Sequence, residues 1–286
     1  MTNIDQFESV FRSAAKEPFA LQDVSIRKIL YIRDLEESAD AAYFEAVQRF
    51  TGTAELLRDA EWMSLSCSKV ADIDALMQAV KTDTPDLICT YRNLGAPATR
   101  YPFSLGVYVD VLTQVTHVPV LLLPRPELYA KDPGMLTSID TVMAITDHLT
   151  GDHRLVNYAA RLAEPKGTLL ITHVEDETVF NRYLETIGRI PAIDTESAAV
   201  ALREKLLQDP HDYIQSCRKV LAEAYVDISI EEVVTFGRHL ADYRHLVEGR
   251  TVSLLVLNTK DQDQSAMHGL AYPLTVELRT TPMLLL

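Results

Sequence analysis

A short pattern occurs twice in this chain, and its repetition restricts the available folds more than any other feature. The first copy reads Thr84-Pro85-Asp86-Leu87-Ile88-Cys89-Thr90, a loop, Gly106-Val107-Tyr108-Val109-Asp110-Val111-Leu112, then Val118-Pro119-Val120-Leu121-Leu122-Leu123. The second reads Val252-Ser253-Leu254-Leu255-Val256-Leu257, a loop, Gly269 to Leu278, then Thr281-Pro282-Met283-Leu284-Leu285-Leu286. Gly106 stands thirteen residues before Pro119, and Gly269 thirteen before Pro282. A lone apolar run fits a buried strand or a buried helix equally well. Two runs at matching offsets, each closing on a Pro-led aliphatic stretch, read as strand, loop, helix, strand in a duplicated unit.

The unit extends backwards from each copy. Lys28 to Asp34 lines up with Thr141 to Asp147, an apolar strand followed by aspartate. In the first half the spacing predicts a helix over Ser38–Phe50, a strand near Trp62–Cys67 and a helix over Asp72–Lys81. In the second half it predicts a helix over Asp152–Ala163 and a strand over Thr168–Val174, then a partly helical insertion from Glu175 to Thr195. Glu196–Ala224 follows as one helix or as two broken at Asp209-Pro210, then a strand over Val226–Val234 and a helix over Ala241–Val247. Strands alternating with helices indicate a parallel sheet covered on both faces. The first half is shorter and lacks much of the segment between its first helix and third strand. The expected division is an N-terminal segment, 1–24, with an amphipathic helix over Asp5–Lys16 ended by Pro18. A first domain, 25–126, is joined by a linker, 127–138, to a second domain, 139–286. The linker overlaps the proline-rich, polar stretch Pro124–Thr137.

Composition narrows the functions. The 286 residues carry a formal net charge of −14, which argues against general DNA or RNA binding, since that needs Lys and Arg to neutralise phosphates. No apolar run approaches membrane-spanning length and no secretion signal opens the sequence. The three cysteines, Cys67, Cys89 and Cys217, have no paired spacing and suit a reducing compartment. A cytoplasmic protein without nucleic-acid or membrane partners is expected. Glycine is scarce, with ten residues, about half the average usage, and phosphate-cradling loops consume glycine.

Candidate chemistry is sparse. Asp147-His148 and Asp152-His153 crowd one loop after a strand carboxyl end, where doubly wound sheets bind ligands. Adjacent Asp-His pairs rarely converge on one metal ion, and capping of the next helix by Asp152 is the simpler role. His239 and Asp242 share a helix face at i,i+3, and His173 sits inside an apolar strand as a core histidine. No Gly-x-Ser-x-Gly, His-Glu-x-x-His or Gly-x4-Gly-Lys-Ser/Thr pattern occurs. No catalytic constellation or metal site is expected.

The element order, the strands ending on Asp34 and Asp147, the strand Leu169 to Val174 (LLITHV) and the closing segments GVYVDVLTQVTHVPVLLL and GLAYPLTVELRTTPMLLL together resemble the universal stress protein (UspA-like) family in its tandem form. The resemblance covers about residues 26–124 and 139–286. It implies an α/β fold of two doubly wound parallel-sheet domains, strand order 3-2-1-4-5, the first abbreviated. Many members bind ATP through a Gly-x2-Gly-x9-Gly-Ser/Thr signature after strand four, whose glycines let backbone N–H groups approach phosphate at a helix N-terminus. With Gly106 as the last glycine, Asn93 and Ala96 occupy the upstream glycine positions and Val107 the hydroxyl position. In the second half Val256, Thr259 and Leu270 stand there. The expectation is a stress-response regulatory or interaction module without a standard ATP phosphate loop. Two alternatives stay open: an ATP or AMP sensor that uses Asp34 or Asp147 with altered phosphate contacts, and a weak nucleotide hydrolase.

A surviving ligand site is expected in the more complete second half. It would be bounded by Ile145 to Asp147, His173 and Val174, and the loop Leu257–Gly269, where Asn258, Thr259, Lys260 and Ser265 supply donors. Asp261 and Asp263 in that loop favour a neutral, nucleoside-like ligand over a triphosphate. Asp34 and Gly106 mark the equivalent place in the first half. Both units close on aliphatic strands, Val118–Leu123 and Pro282–Leu286, which this fold puts at a sheet edge. Uncovered, such edges aggregate. The halves are therefore expected to pair through their last strands, with further homo-oligomerisation open.

Overall fold

The computed structural model describes residues 18–35, 37–95, 103–145, 149, 151–225, 227–259 and 270–286. The helix expected over Asp5–Lys16 lies outside these residues, as do Asp147, Lys260, Ser265 and Gly269.

The first half contributes β1 (Lys28–Arg33), β2 (Glu61–Ser66), β3 (Leu87–Tyr91) and β4 (Val120–Leu123). The second contributes β5 (Thr141–Ile145), β6 (Thr168–Asp176), β7 (Ser229–Gly237), β8 (Leu254–Leu257) and β9 (Met283–Leu285). They form one sheet in the order β2-β1-β3-β4-β9-β8-β5-β6-β7. Within the second half the order is 3-2-1-4-5 in its own chain sequence, and the first half repeats this order without the outermost strand. Every pairing is parallel except β4 with β9. Every residue of β3, β4, β8 and β9 is buried, which is why these strands read as unbroken apolar runs rather than alternating ones.

Helices cover the sheet: α1 (Glu37–Thr51), α2 (Glu55–Arg58), α3 (Ile73–Asp83), α4 (Val107–Val115) and α5 (Pro126–Tyr129), then α6 (His153–Leu162), α7 (Glu177–Ile187), α8 (Thr195–Ala224), α9 (His239–Gly249) and α10 (Ala271–Glu277). Their starts follow from capping. Asp72 accepts the Ala75 N–H at 2.9 Å, Asp152 that of Leu155 at 3.1 Å, and Asp176 that of Thr178 at 2.7 Å, each satisfying a first-turn donor. Leu155, Val156, Ala159, Ala160 and Leu162 form the buried stripe of α6.

Two segments differ from the sequence expectation, and one open alternative is decided. Helix α8 runs unbroken through Pro210, as the single-helix alternative had it. An interior proline costs about 3 kcal/mol in a helix. Here it sits at the start of a buried stripe, Pro210, Tyr213, Ile214, Cys217 and Leu221, packed on β6 and β7, and that packing offsets the cost. Strand β7 begins at Ser229 and runs to Gly237 because β6 continues to Asp176 and templates nine pairs. The Pro124–Thr137 stretch is not a bare linker. It holds α5 and a 3₁₀ turn over Pro133–Leu136 and packs on α1. The Tyr43 hydroxyl donates to the Pro124 carbonyl at 2.5 Å, and the Tyr43 and Tyr129 rings meet edge to face at 5.4 Å.

At the seam, Val120 pairs with Leu285, Leu121 with Leu284 and Leu122 with Met283. Arg92, just past β3, reaches across it. Its guanidinium donates to the Thr275 carbonyl and, at 2.9 Å, to the Leu278 carbonyl at the end of α10. Helix C-terminal carbonyls lack partners and carry partial negative charge, so they hold a buried cation without a carboxylate. Burial, with Arg279 nearby, pushes the Arg92 pKa down to about 9. No helix among the described residues is long and apolar enough to cross a membrane.

Leu285→Lys places an ammonium at a position 2 % exposed and is expected to cost about 3–5 kcal/mol, the range for an uncompensated buried charge. Urea unfolding measures this. Val200→Lys on the exposed face of α8 serves as the control and should change stability by less than about 0.5 kcal/mol.

Candidate functional site

In the first half, the carboxyl ends of β1 and β3 meet at Asp34. The Tyr91 hydroxyl donates to Asp34 Oδ1 at 2.6 Å, and the Gly95 N–H donates to Oδ2 at 2.8 Å. The same Tyr91 oxygen accepts the N–H groups of Asp34 at 2.9 Å and Leu35 at 3.3 Å. Burial and the hydrogen bond to Asp34 push the Tyr91 phenol upward, so it stays a donor at neutral pH. The turn after β1 and the loop after β3 are thereby tied together.

The loop is stitched across its base as well. The Asn93 N–H donates to the Leu105 carbonyl at 2.6 Å and its side-chain amide to the Ser104 carbonyl at 2.8 Å. Gly106, at φ +93°, lies so close that a Cβ there would stand 2.8 Å from Asn93 Cα. Its N–H donates to Ser104 Oγ at 3.1 Å. Gly95, at φ +70°, lies under the Tyr108 ring, 2.6 Å from where a Cβ would sit. Val107, which opens α4, is exposed and offers no hydroxyl. Ala96 lies outside the described residues.

Behind Asp34 the space is filled by side chains. Tyr31 donates to Asp40 Oδ1 at 2.9 Å, and Arg33 Nε lies 3.6 Å from Asp40 Oδ2 and 3.2 Å from Ser64 Oγ. Burial raises the Asp40 pKa against the opposing pull of Tyr31 and Arg33. Tyr31 stacks on Phe44 at 4.8 Å, and Phe44 meets Trp62 edge to face at 5.4 Å. A shallow depression of about 240 Å³ lies instead at the amino ends of β1 and β3, lined by Ser25, Arg27, Lys28, Thr84 and Asp86.

In the second half, Ile145 ends β5 between Thr172 and Leu257. β6 continues past it through His173 and Val174, and the Val174 N–H donates to the Tyr243 hydroxyl at 2.9 Å. His173 is buried, its Nε2 is 3.2 Å from Glu175 Oε2, and its Nδ1 has no hydrogen-bond partner among the described residues. The Asn258 amide donates to Asp152 Oδ2, while Thr259 donates its hydroxyl to the Leu286 carbonyl at 2.8 Å. The structure therefore gathers Ile145, His173 and Val174 at the ends of β5 and β6, and joins Asn258 and Thr259 to the start of α6 and the end of the chain. Asp147, Lys260, Ser265 and Gly269 lie outside the described residues.

One alignment is corrected. Val256, set against the first glycine of the signature, lies inside β8 and is paired with Ala144, as the apolar run Val252–Leu257 implies. Strand register equates Leu255 with Ile88, since each opposes the residue after the strand-leading proline. Gly269 follows Leu255 by 14 residues and Gly106 follows Ile88 by 18. The second loop is shorter, and the glycine-signature spacing does not transfer to it.

Sequence reasoning missed Tyr91 and Asp40. The one signal for Tyr91 was a large hydroxyl-bearing residue closing a buried strand of otherwise small and aliphatic side chains. No group of three or more His, Cys, Asp or Glu among the described residues is placed to hold a metal ion. Burial raises the thiol pKa of Cys67 to about 11 and of Cys217 to about 12, so both are protonated and poor nucleophiles at neutral pH.

No family model and no curated protein matches this chain. Solved structures do. A universal stress protein from Archaeoglobus fulgidus DSM 4304 superposes with a TM-score of 0.52 at 12 % identity, over 91 % of this chain and 96 % of that one. A provisionally assigned universal stress protein from Pseudomonas aeruginosa UCBPP-PA14 gives 0.50 at 15 % identity, over 91 % and 93 %. The fold of this chain is that of the universal stress proteins. At such identity the likeness speaks to fold alone.

Tyr91→Phe removes the hydroxyl that serves Asp34 Oδ1 and two backbone N–H groups. It is expected to destabilise by about 1–3 kcal/mol, read from urea unfolding, and to speed amide exchange at Gly95.

Proposed function

We propose that the protein is a cytoplasmic tandem universal-stress-type module acting in regulation or protein interaction. On this reading its first unit has turned the nucleotide-contact aspartate into an internal tie. The observation that carries the proposal is the engagement of both Asp34 carboxylate oxygens, one by Tyr91 and one by the Gly95 N–H. Each oxygen keeps a further lone pair, but the two bonds fix the carboxylate against the β3 loop, so a nucleotide using Asp34 would compete with Tyr91 or Gly95, and stranding a partly buried donor costs about 1–3 kcal/mol. The helix start offers little in return, since the Gly106 N–H is taken by Ser104 and Val107 has no hydroxyl. Assignment to the stress-response class rests on fold analogy, and the site chemistry supports binding by surfaces rather than turnover.

Calorimetric titration with ATP, ADP and AMP tests this. The expected result is no binding tighter than ~1 mM, with wild type and Asp34→Ala indistinguishable. Micromolar binding abolished by Asp34→Ala would overturn the proposal. Micromolar binding untouched by that substitution would move the protein to the nucleotide-sensor class, with the site in the second unit.

A further inference from the structure

Right-handed crossovers place α4, between β3 and β4, and α10, between β8 and β9, on the same face of the sheet. Because β4 and β9 pair antiparallel, the two helices flank the seam and run in opposite directions. The Arg279 guanidinium, just past α10, stands over the Phe103 ring, just before α4, at 5.2 Å, which joins the end of one helix to the start of the other. Apolar side chains stand in water along this pair. Phe103 is 67 % exposed, Val107 65 % and Val115 58 %, and Tyr272, in the first turn of α10 toward the Val115 end of α4, is 42 % exposed. Val111, between the two valines on the same helical stripe, is partly buried. The rim is charged: α3 packs beside α4 and α9 beside α10, and Asp74 and Lys81 of α3 and Arg244 and Glu248 of α9 are exposed.

We propose that two copies of this chain associate through the α4–α10 face, each copy laying its helix pair on that of the other. Area and charge select this occupant. The four exposed side chains leave roughly 400 Å² of apolar surface in water. That is close to the apolar share, about 57 % of about 800 Å², that each partner brings to a standard-sized interface. The chain carries a formal charge of −14, so two copies repel through their acidic surfaces. The α4–α10 face escapes this. Of the carboxyl groups on these two helices, Asp110 is half-buried, and burial raises its pKa, while Glu277 lies 3.5 Å from the Arg244 guanidinium. A basic partner would be drawn to the acidic remainder of the molecule, and an anionic membrane would repel it. A second copy meets a neutral, apolar face of equal size. The antiparallel helix pair also presents two like halves about the seam, so one twofold rotation engages all four helices and closes the assembly as a dimer. Such a dimer requires no nucleotide and leaves the Asp34 tie as it stands.

Sedimentation equilibrium of the full chain tests this. The expected result is a reversible equilibrium between a 32.1 kDa monomer and a species of twice that mass, with a dissociation constant of about 1–100 μM. Added salt should tighten the dimer, because it screens the repulsion between two acidic bodies. Val107→Glu sets like charges on the face at an exposed position in the first turn of α4, where the helix dipole tolerates an acid. It should weaken association about tenfold or more, as should Phe103→Ala. Val200→Lys, on the exposed face of α8, should leave association unchanged. Hydroxyl-radical footprinting of wild type locates the contact without any substitution: labelling of Phe103 and Tyr272 should fall as the dimer forms, while exposed Tyr183 of α7 keeps its reactivity. A chain that stays monomeric at about 300 μM overturns the proposal. So does a dimer that withstands Val107→Glu and Phe103→Ala together, one that Val200→Lys dissociates, or one whose footprint covers Tyr183 and spares Tyr272.

Discussion

The antiparallel hydrogen bonding of β4 to β9 is the constraint on which the rest depends. Each unit of this fold leaves its last strand with one unpaired side, and here both such strands are short and wholly aliphatic. Exposed to water they would be adhesive edges. Joined, they become the centre of a nine-stranded sheet, and the apolar core runs through both units without a break. Other features reinforce the junction: the Arg92 guanidinium laid on the carbonyls of α10, the packed connection over α1, and residues 18–24, which precede β1 yet lie on the second unit, the Phe19 N–H on Ser216 Oγ and the Gln22 N–H on Asn157 Oδ1. The units are consequently one folding body in energetic terms, although the sequence repeats.

Within that body the first unit has lost openness. Its sheet lacks the outermost strand, and its carboxyl end is filled by a Tyr31–Asp40–Arg33 cluster and by the Tyr91–Asp34–Gly95 tie. These contacts stabilise the end of the sheet, and any ligand that drew on Asp34 or on the Gly95 N–H would compete with them directly.

Much of the architecture was legible because buried parallel strands leave continuous aliphatic runs. Leu87 to Thr90 and Leu254 to Leu257 were recognisable for this reason, as was Asp152 as a helix cap. What escaped notice depends on contacts distant in sequence. Pro210 left one helix and two open in the sequence, and burial of its helix face against β6 and β7 decides for one. The last residues of β7 were missed because an edge strand bearing Glu231 and Glu232 has no apolar run, and its limits are set by β6. Equal glycine-to-proline spacing in the two copies concealed an unequal strand-to-glycine distance, which matched Val256, a β8 residue, to a loop glycine of the signature. Of the candidate site, Ile145, His173 and Val174 do adjoin one another, whereas the engagements of Asp34, Asn258 and Thr259 rest on partners 27 or more residues away. A backbone-binding role such as that of Asn157 leaves no periodic trace at all.

The direction of the seam decides which way each unit faces. Strands within each unit are parallel, but the two units run opposite ways, so their carboxyl ends open toward opposite poles of the molecule. A tandem repeat of this kind is bipolar. The two carboxyl ends also differ in their loops and side chains, so one continuous sheet carries two distinguishable ends, a property that neither unit alone nor a symmetric pair of identical units possesses.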